Sequence, residues 1–332
     1  MQQGFWNVGI RKRMKATLRA SAAVAAVALA FTAAPLTGYA VRIEPAAQEG
    51  VTSNIFGSAG SESEFYRQIS QTITQGQESL TITLDQPVSD QEEFIELCRQ
   101  AVYQARRDYP ESFLSNHTEF VYYYNESGYY QVTFSFRYLD LTGEQKQAMF
   151  NEVDSIVAQA RAQTGGDTVG MLRYFQQALC ERAEYDFAAA RSDSDHYPNS
   201  YHAYGALMEG KSVCQGYAYA FKLLCDRAQI PCWIVTGTYG DEPHAWNYVW
   251  VNNNYYLVDV TWDDANNRPA DSAFFLAGRD HAANYHVEDN CAPGTLAARS
   301  YSETGTTVIR RARQQTNQEE SSSRTLAGAA KG

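Results

Sequence analysis

The spacing of apolar and polar residues predicts alternating helices and strands in the first half of the chain. Helical spacing marks residues 63–74, and a second helix begins at the capping sequence "SDQE" (residues 89–92) and runs to about residue 108. Between them, "SLTITL" (residues 79–84) alternates as a half-buried strand does.

A tyrosine-rich stretch and a long helix follow. The sequence "TEFVYYYNESGYYQVTFSFRYL" predicts two strands joined by a turn at residues 125–128, because Asn, Ser and Gly favour hairpin turns. A helix then begins at "TGEQ" (residues 142–145) and extends to about residue 163. We therefore expect residues 61–165 to form a small N-terminal α+β module.

The second half begins with a helical pattern over residues 168–183, followed by a polar loop at residues 192–199. A further helix is predicted around Cys214, because apolar residues follow it at helical intervals on one continuous face: Tyr217, Ala218, Phe221, Leu224 and Cys225. Ser212 and Gln215 have capping-box spacing, which predicts Ser212 as the N-cap and places Cys214 in the first turn.

Strict alternation in "EPHAWNYVWV" predicts a strand that begins near His244, and "YYLVDVTW" predicts a returning strand that contains Asp259. With an even loop between the strands, His244 and Asp259 share one face of the sheet. A three-residue loop would place them on opposite faces unless a bulge intervened.

A loop of Asn252 and Asn253 gives a specific register for this hairpin. Asn254 would then face Val251, and Thr261 would face His244. Asp259 becomes the diagonal neighbour of the histidine, about 7–8 Å away between backbones and within side-chain reach. Asparagine suits this loop because it tolerates left-handed backbone angles.

The ends of the chain have a different composition. Five basic residues precede an Ala-rich apolar run at residues 20–36, and "GYA" (residues 38–40) offers a small-x-small cleavage site. This pattern is typical of a secretory signal peptide over residues 1–40, the alternative being an uncleaved membrane anchor. We expect a linker at residues 41–60 and a polar, largely disordered tail at residues 292–332, with a short strand at residues 306–309 as an alternative there.

Composition and charge narrow the class of protein. The 332 residues are 44% hydrophobic, which supports a packed core, and the net charge is −11. Removal of residues 1–40, with their five basic and no acidic side chains, would lower the net charge to −16. We therefore expect no nucleic-acid partner, since such a partner requires a basic surface.

The cysteines and histidines do not show the spacing of a metal site. The six cysteines are Cys98, Cys180, Cys214, Cys225, Cys232 and Cys291. Neither these nor the pair His281 and His286 have zinc-ligand spacing, so we expect no metal and no cofactor. Export would permit disulfide bonds, but the sequence does not assign their pairing.

The predicted position of Cys214 favours reactivity. Unpaired amide N–H groups and the positive end of a helix dipole stabilise a thiolate, and the same groups can stabilise an oxyanion. Gly216 permits close approach of the neighbouring backbone. Cys214 alone is more often an inert buried residue. His244 and Asp259 change this balance, because they supply a base and a carboxylate to orient it.

At this point three motifs resemble a known family. The sequences "GKSVCQGYAYAFKLLCDRAQIPCWIVTG", "HAWNYVWVNNNYYLVDVTWDD" and "FFLAGRDH" are similar to those of the transglutaminase-like superfamily, specifically its bacterial exported members. The resemblance covers about residues 165–290. It implies an α+β, papain-like transglutaminase core over residues 166–291, in which a cysteine-bearing helix packs on an antiparallel sheet. It also implies Cys214 as nucleophile, His244 as base and Asp259 as orienter.

The resulting expectation is an exported cysteine acyl-transfer enzyme with a Cys214–His244–Asp259 triad. It would form a thioester with a protein or peptide substrate, and cell-envelope proteins and peptidoglycan peptides are the candidates. Hydrolysis is slightly favoured over cross-linking. The alternative is a cell-surface binding module that keeps the fold without turnover.

Several other residues are weaker candidates. Asp263 is an outside alternative to Asp259 as orienter, and capping explains Gln215 better than an oxyanion role. Three aromatic residues either line the cleft or pack in the core: Tyr204, Trp246 and Trp262. His281 and His286 are expected at the surface. For His202 the sequence suggests no partner.

Overall fold

The computed structural model describes residues 25–31, 51–53, 64–265, 273–288 and 291–302. Its α-helices within these ranges are α1 (Glu64–Thr74), α2 (Gln91–Asp108), α3 (Gly143–Thr164), α4 (Thr168–Arg182), α5 (Cys214–Ala228) and α6 (Val260–Ala265). Its strands are β1 (Ala25–Phe31), β2 (Val51–Ser53), β3 (Ser79–Val88), β4 (Leu114–Asn125), β5 (Gly128–Tyr138), β6 (Glu184–Tyr185), β7 (Lys211–Ser212), β8 (Cys232–Tyr239), β9 (Glu242–Val251), β10 (Asn254–Val258) and β11 (Tyr285–Val287).

The N-terminal part is a five-stranded sheet on which α1 and α2 pack. The strand order is β1-β4-β5-β3-β2, and the β4–β5 hairpin turns where Asn125 pairs with Gly128, as the sequence predicts. Buried and half-buried positions alternate along β4, which gives the sheet one apolar face. Aromatic and aliphatic side chains from both helices and the sheet fill this core, among them Phe65, Ile69, Phe94, Phe120 and Phe134.

The edge strand β1 lies within the apolar run of the predicted signal peptide. It pairs antiparallel with β4, from Ala25 opposite Tyr124 to Phe31 opposite Thr118. The removal of residues 1–40 stays a prediction. Among the helices that the structure describes, none combines the length and apolar character needed to cross a bilayer.

The second part is the mixed helix and sheet fold that the sequence predicts. Its sheet is antiparallel throughout, with the order β10-β9-β8-β11. Helix α5 packs against β8 and β9 on one side and against α3 and α4 on the other. The apolar face predicted for α5 is buried, and Tyr217, Phe221 and Leu224 are each at most 1% exposed.

Two groups of contacts lie across the expected domain boundaries, which stay predictions. Helix α3 was expected to belong to the module of residues 61–165, but its buried residues Met149, Val153 and Ile156 share one core cluster with α4 and α5. A periodic apolar face shows that a helix packs without showing which partner it packs against. At the start of the expected tail, Leu296 is buried and the Tyr301 N–H donates to Leu276 O at 3.0 Å. The expected strand at residues 306–309 lies outside the described residues.

His202 joins the two parts of the molecule, although the sequence suggests no partner for it. Its ring is 2% exposed, and its Nε2–H donates to the carbonyl of Pro110, between α2 and β4, at 2.8 Å. The Tyr204 N–H donates to Nδ1 at 3.2 Å, and the ring stacks on Phe113 at 5.3 Å between ring centroids. A neutral imidazole therefore uses both of its ring nitrogens in hydrogen bonds, one as donor and one as acceptor.

Burial lowers the pKa of His202 to about 4. We therefore expect acid to destabilise the contact that His202 makes between the two parts of the molecule. Between the ordinary histidine pKa of 6.5 and about 4, the unfolded chain takes up a proton that the folded chain does not. The free energy of unfolding should therefore fall as the pH falls through this window, by up to about 3 kcal/mol from this residue. Urea denaturation at several pH values measures this free energy of unfolding.

The matched variants are His202→Gln and His286→Gln, the latter at an exposed histidine. His202→Gln should be less stable than the wild type at pH 7 but should lose less stability between pH 6.5 and pH 4. His286→Gln should follow the wild type. An equal loss in wild type and His202→Gln would contradict the assignment.

Candidate active site

Cys214 is the first residue of α5 and is 4% exposed. The N-cap is Val213, which provides no side-chain hydrogen bond, so the prediction of Ser212 as the cap is wrong. Ser212 lies in β7, where it pairs with Tyr185 of β6, and its hydroxyl donates to the Val213 carbonyl at 3.0 Å. No described side chain caps the N–H groups of the first turn, which stay available for an anion.

Gln215 anchors this first turn to the N-terminal sheet. Its Nε2 donates to the Tyr201 carbonyl and to Asn116 Oδ1, each at 2.8 Å, and Asn116 Nδ2 donates back to Gln215 Oε1 at 3.2 Å. Gln215 is thus neither a cap nor a free oxyanion donor. Asn116 was not predicted as its partner, because it lies 99 residues away in β4.

Gly216 lets the start of α5 lie directly against the preceding segment. A Cβ at this position would collide with Ser212 Oγ, the Ser200 carbonyl and the His202 carbonyl. The close backbone approach expected from the sequence is therefore confirmed. Any larger residue at position 216 would displace the turn that carries Cys214.

The β9–β10 hairpin has the predicted register. Asn254 pairs with Val251, and the two loop residues, Asn252 and Asn253, have φ values of 48° and 62°. The returning strand is shorter than expected, since β10 ends at Val258 and α6 begins at Val260. Thr261 is therefore helical and does not pair with His244.

His244 and Asp259 meet across the end of this hairpin. The Nε2–H of His244 donates to Asp259 Oδ2 at 2.6 Å, with side-chain exposures of 7% and 0%. Two further donors hold the carboxylate: the Tyr285 hydroxyl reaches Oδ2 at 2.8 Å, and the Trp262 N–H reaches Oδ1 at 3.3 Å. The bond at Nε2 fixes the orientation of the ring and leaves Nδ1 for the thiol of Cys214.

Tyr285 was missed because it belongs to a three-residue strand whose pattern is too short to interpret. In the structure β11 pairs with β8, with Tyr285 opposite Tyr239, and this places the phenol beside Asp259. Burial, followed by the charge of Asp259, raises the pKa of Tyr285. Its hydroxyl therefore stays a proton donor to the carboxylate.

His244 is held in a strongly anionic environment. Burial by itself would lower the pKa of its imidazole, but the charge and hydrogen bond of Asp259, together with a hydrogen bond to Cys214, raise it to about 10. The imidazolium is therefore favoured at neutral pH when it lies between a carboxylate and a thiolate. Trp246 and Trp262 enclose the ring, with centroids at 6.0 and 5.8 Å from it.

Cys214 and His244 both line one cleft of about 520 Å³, a volume that includes space open to solvent. Three side chains of α2 line the same cleft, namely Tyr103, Arg106 and Arg107. The sequence did not indicate them, because their position depends on how α2 packs against β8. The N-terminal part therefore contributes one wall of the cleft.

The alternative orienter Asp263 does not approach His244. Both of its carboxylate oxygens are buried with no hydrogen-bond partner among the described residues. Burial and the nearby charge of Asp259 raise the pKa of Asp263 to about 8, so it is neutral at pH 7. Tyr204 is buried in the main core, and His281 and His286 are exposed, as expected.

Part of this chain is similar to known proteins. Residues 155–260, which contain Cys214, His244 and Asp259, match the model of the transglutaminase-like superfamily. The kyphoscoliosis peptidases of Homo sapiens and Mus musculus are 31% and 30% identical to this chain over an alignment of 96 residues, with a coverage of 25% of this chain. The match covers only 14% of the length of each relative. A solved structure of a TGase is 15% identical over 55% of this chain and 51% of its own, with a TM-score of 0.32.

The environment of His244 predicts the effect of Asp259→Asn. Removing the carboxylate charge should lower the pKa of His244 from about 10 toward or below the ordinary value of 6.5, because burial then dominates. NMR titration of ¹⁵N-histidine-labelled protein measures the ring directly. In the wild type the ring should stay protonated through neutral pH.

In Asp259→Asn it should lose its proton at or below neutral pH. A wild-type His244 that loses its proton near the ordinary value of 6.5 would contradict the assignment.

Proposed function

Because residues 155–260 are a transglutaminase-like segment, we propose that the protein is an exported cysteine acyl-transfer enzyme. Cys214 is its nucleophile, His244 its acid and base, and Asp259 the residue that orients the imidazole. One observation carries the proposal: a cysteine at an uncapped helix N-terminus shares a cleft with a histidine that is hydrogen-bonded to a buried carboxylate.

The first half-reaction follows from this arrangement. The Cys214 thiolate attacks the carbonyl carbon of an amide, and the carbonyl electrons move to its oxygen. The first-turn N–H groups of α5 stabilise this oxyanion. The His244 imidazolium donates its proton to the leaving amine as the C–N bond breaks, and a thioester on Cys214 remains.

The second half-reaction resolves the thioester. Neutral His244 takes a proton from water or from an amine, which attacks the thioester carbonyl and releases the Cys214 thiolate. Water gives hydrolysis and an amine gives cross-linking. We favour hydrolysis of protein or peptide substrates, in agreement with the name peptidase carried by the two curated relatives.

Export is part of the proposal and rests on the basic, apolar and small-residue sequence of residues 1–40. The substrates would then be proteins or peptides of the cell envelope, peptidoglycan peptides included. The same fold without turnover would make a binding module, but such a module has no need of a bonded imidazole and carboxylate beside a thiol.

The reaction can be tested on residues 41–332 incubated with envelope proteins and a tagged primary amine. Mass spectrometry reads both new peptide termini and amine incorporation in one sample. We expect new termini to dominate, and Cys214→Ala should abolish both signals. Products that persist in Cys214→Ala would refute the assignment of the nucleophile.

Alkylation tests the thiol without a substrate. Iodoacetamide near neutral pH should label Cys214 rapidly, whereas burial raises the pKa of Cys98, Cys180 and Cys225 and protects them. His244→Ala should slow labelling of Cys214 roughly tenfold or more, because the thiolate loses its counterion.

His281→Ala, at an exposed histidine, is the control and should leave the rate unchanged. A Cys214 that reacts only after unfolding would count against the enzyme and in favour of the binding module.

A further inference from the structure

Arg106 is a buried cation on the wall of the cleft. The residue is 6% exposed, and its Nη2 donates to Thr118 Oγ1 at 3.3 Å. Its Nε has no hydrogen-bond partner in the described part of the chain, and no Asp or Glu there forms an ion pair with it. A guanidinium that has left water without an opposite charge is costly to the fold.

Several other arginines of the molecule form ion pairs with a carboxylate. Arg182 bonds to Glu152 at 2.9 Å and Arg137 bonds to Glu119 at 3.1 Å. A protein with a net charge of −11 has many acidic side chains to offer, yet none of the residues that line the cleft is acidic. The lining of the cleft is therefore more positive than the chain as a whole, and the nearby carboxylate of Glu288 lies behind it, where it accepts from Thr236 Oγ1 at 2.8 Å.

Arg107 adds a second positive charge to the same wall. Its Nη1 donates to Thr236 Oγ1 at 3.2 Å and to Cys291 Sγ at 2.9 Å, which holds the side chain against β8. Arg106 is fixed from another side by the ring of Tyr103, with 5.7 Å between the guanidinium carbon and the ring centroid. Both cations are thus positioned before any ligand arrives.

We propose that Arg106 and Arg107 form a subsite that binds a carboxylate of the substrate beside Cys214. Guanidinium groups match a carboxylate in charge and in the geometry of their donors. The inference rests on the proposed function and narrows its substrates to peptides with a carboxylate near the reacting amide. Burial lowers the pKa of Arg106, and a bound carboxylate would oppose this effect.

Pairs of alkylating reagents that differ only in a carboxylate test the subsite without a known substrate. Iodoacetate and iodoacetamide form a short pair, and bromoacetylglycine and bromoacetylglycinamide form a longer one. For each pair, the ratio of acid to amide rate at Cys214 is divided by the same ratio for glutathione. We expect a normalised ratio well above one in the wild type for at least one pair. The rate of Cys214 labelling should also saturate as the concentration of the acid reagent rises.

Arg106→Gln and Arg107→Gln should each lower this ratio, by about tenfold for Arg106, because a charge-assisted hydrogen bond to the carboxylate is lost. Arg106→Lys should retain part of it, and Arg137→Gln, at an exposed arginine outside the cleft, should retain all of it. Thermal unfolding identifies any variant that fails to fold, and the arginine variants that do fold then test the proposal.

Two kinds of peptide distinguish the sources of the carboxylate. An acetylated tripeptide with a free C-terminus should slow labelling if the subsite takes a chain end. The same peptide with a C-terminal amide and an internal glutamate should slow it if the subsite takes a side chain. Protection by neither would overturn the proposal.

Three further results would also overturn it. A normalised ratio near one in the wild type would show no preference for an acid. A ratio unchanged by the arginine substitutions, with both rates lowered equally, would show that the arginines act on the thiolate instead of a ligand. Failure of every reagent to label folded wild-type Cys214 would refute the proposed function itself, and this outcome is distinct from a loss of acid preference.

Discussion

The short hydrogen bond between His244 and Asp259 is the interaction on which the site depends. It requires two residues 15 positions apart to meet in a place almost without water, where an unpaired carboxylate would be strongly destabilising. The two-residue Asn252–Asn253 loop sets the register that makes this possible, and a loop one residue longer would separate the pair. Tyr285 and the Trp262 N–H then hold the carboxylate in place, so the fold itself orients the imidazole.

The N-terminal sheet and α2 complete the site that the transglutaminase-like segment begins. Asn116 holds Gln215 in the turn next to Cys214, the Pro110 carbonyl holds His202, and Arg106 lines the cleft. The first two contacts join residues that are 99 and 92 positions apart in the chain. The position of Arg106 depends on the packing of α2 against β8. The part of the chain outside the family match therefore braces the thiol helix and places Arg106 and Arg107 on the wall of the cleft.

Local patterns predicted the elements that carry the chemistry. The helix that begins at Cys214, the strand with His244 and the asparagine turn all follow from spacing within about 15 residues, whereas the antiparallel sheet was expected from the family resemblance. The failures concern long-range contacts. The spacing of Ser212 and Gln215 resembles a capping box, but Ser212 pairs with β6 and its hydroxyl donates to the Val213 carbonyl instead of capping the helix. The apolar face of α3 does not reveal its partner, and His202 and Arg106 acquire their environments only when the two parts of the molecule pack together.

The central claim is that Cys214 accepts an acyl group with help from His244 and Asp259. Intact-protein mass spectrometry after brief exposure to p-nitrophenyl acetate tests it most directly, because an acetyl group on sulfur is a thioester and is removed by hydroxylamine. We predict one hydroxylamine-labile acetyl group on folded wild-type protein, located at Cys214 by peptide mapping, and its absence from Cys214→Ala. An acetyl group that is spread over several residues, or that forms equally well in Cys214→Ala, would contradict the account.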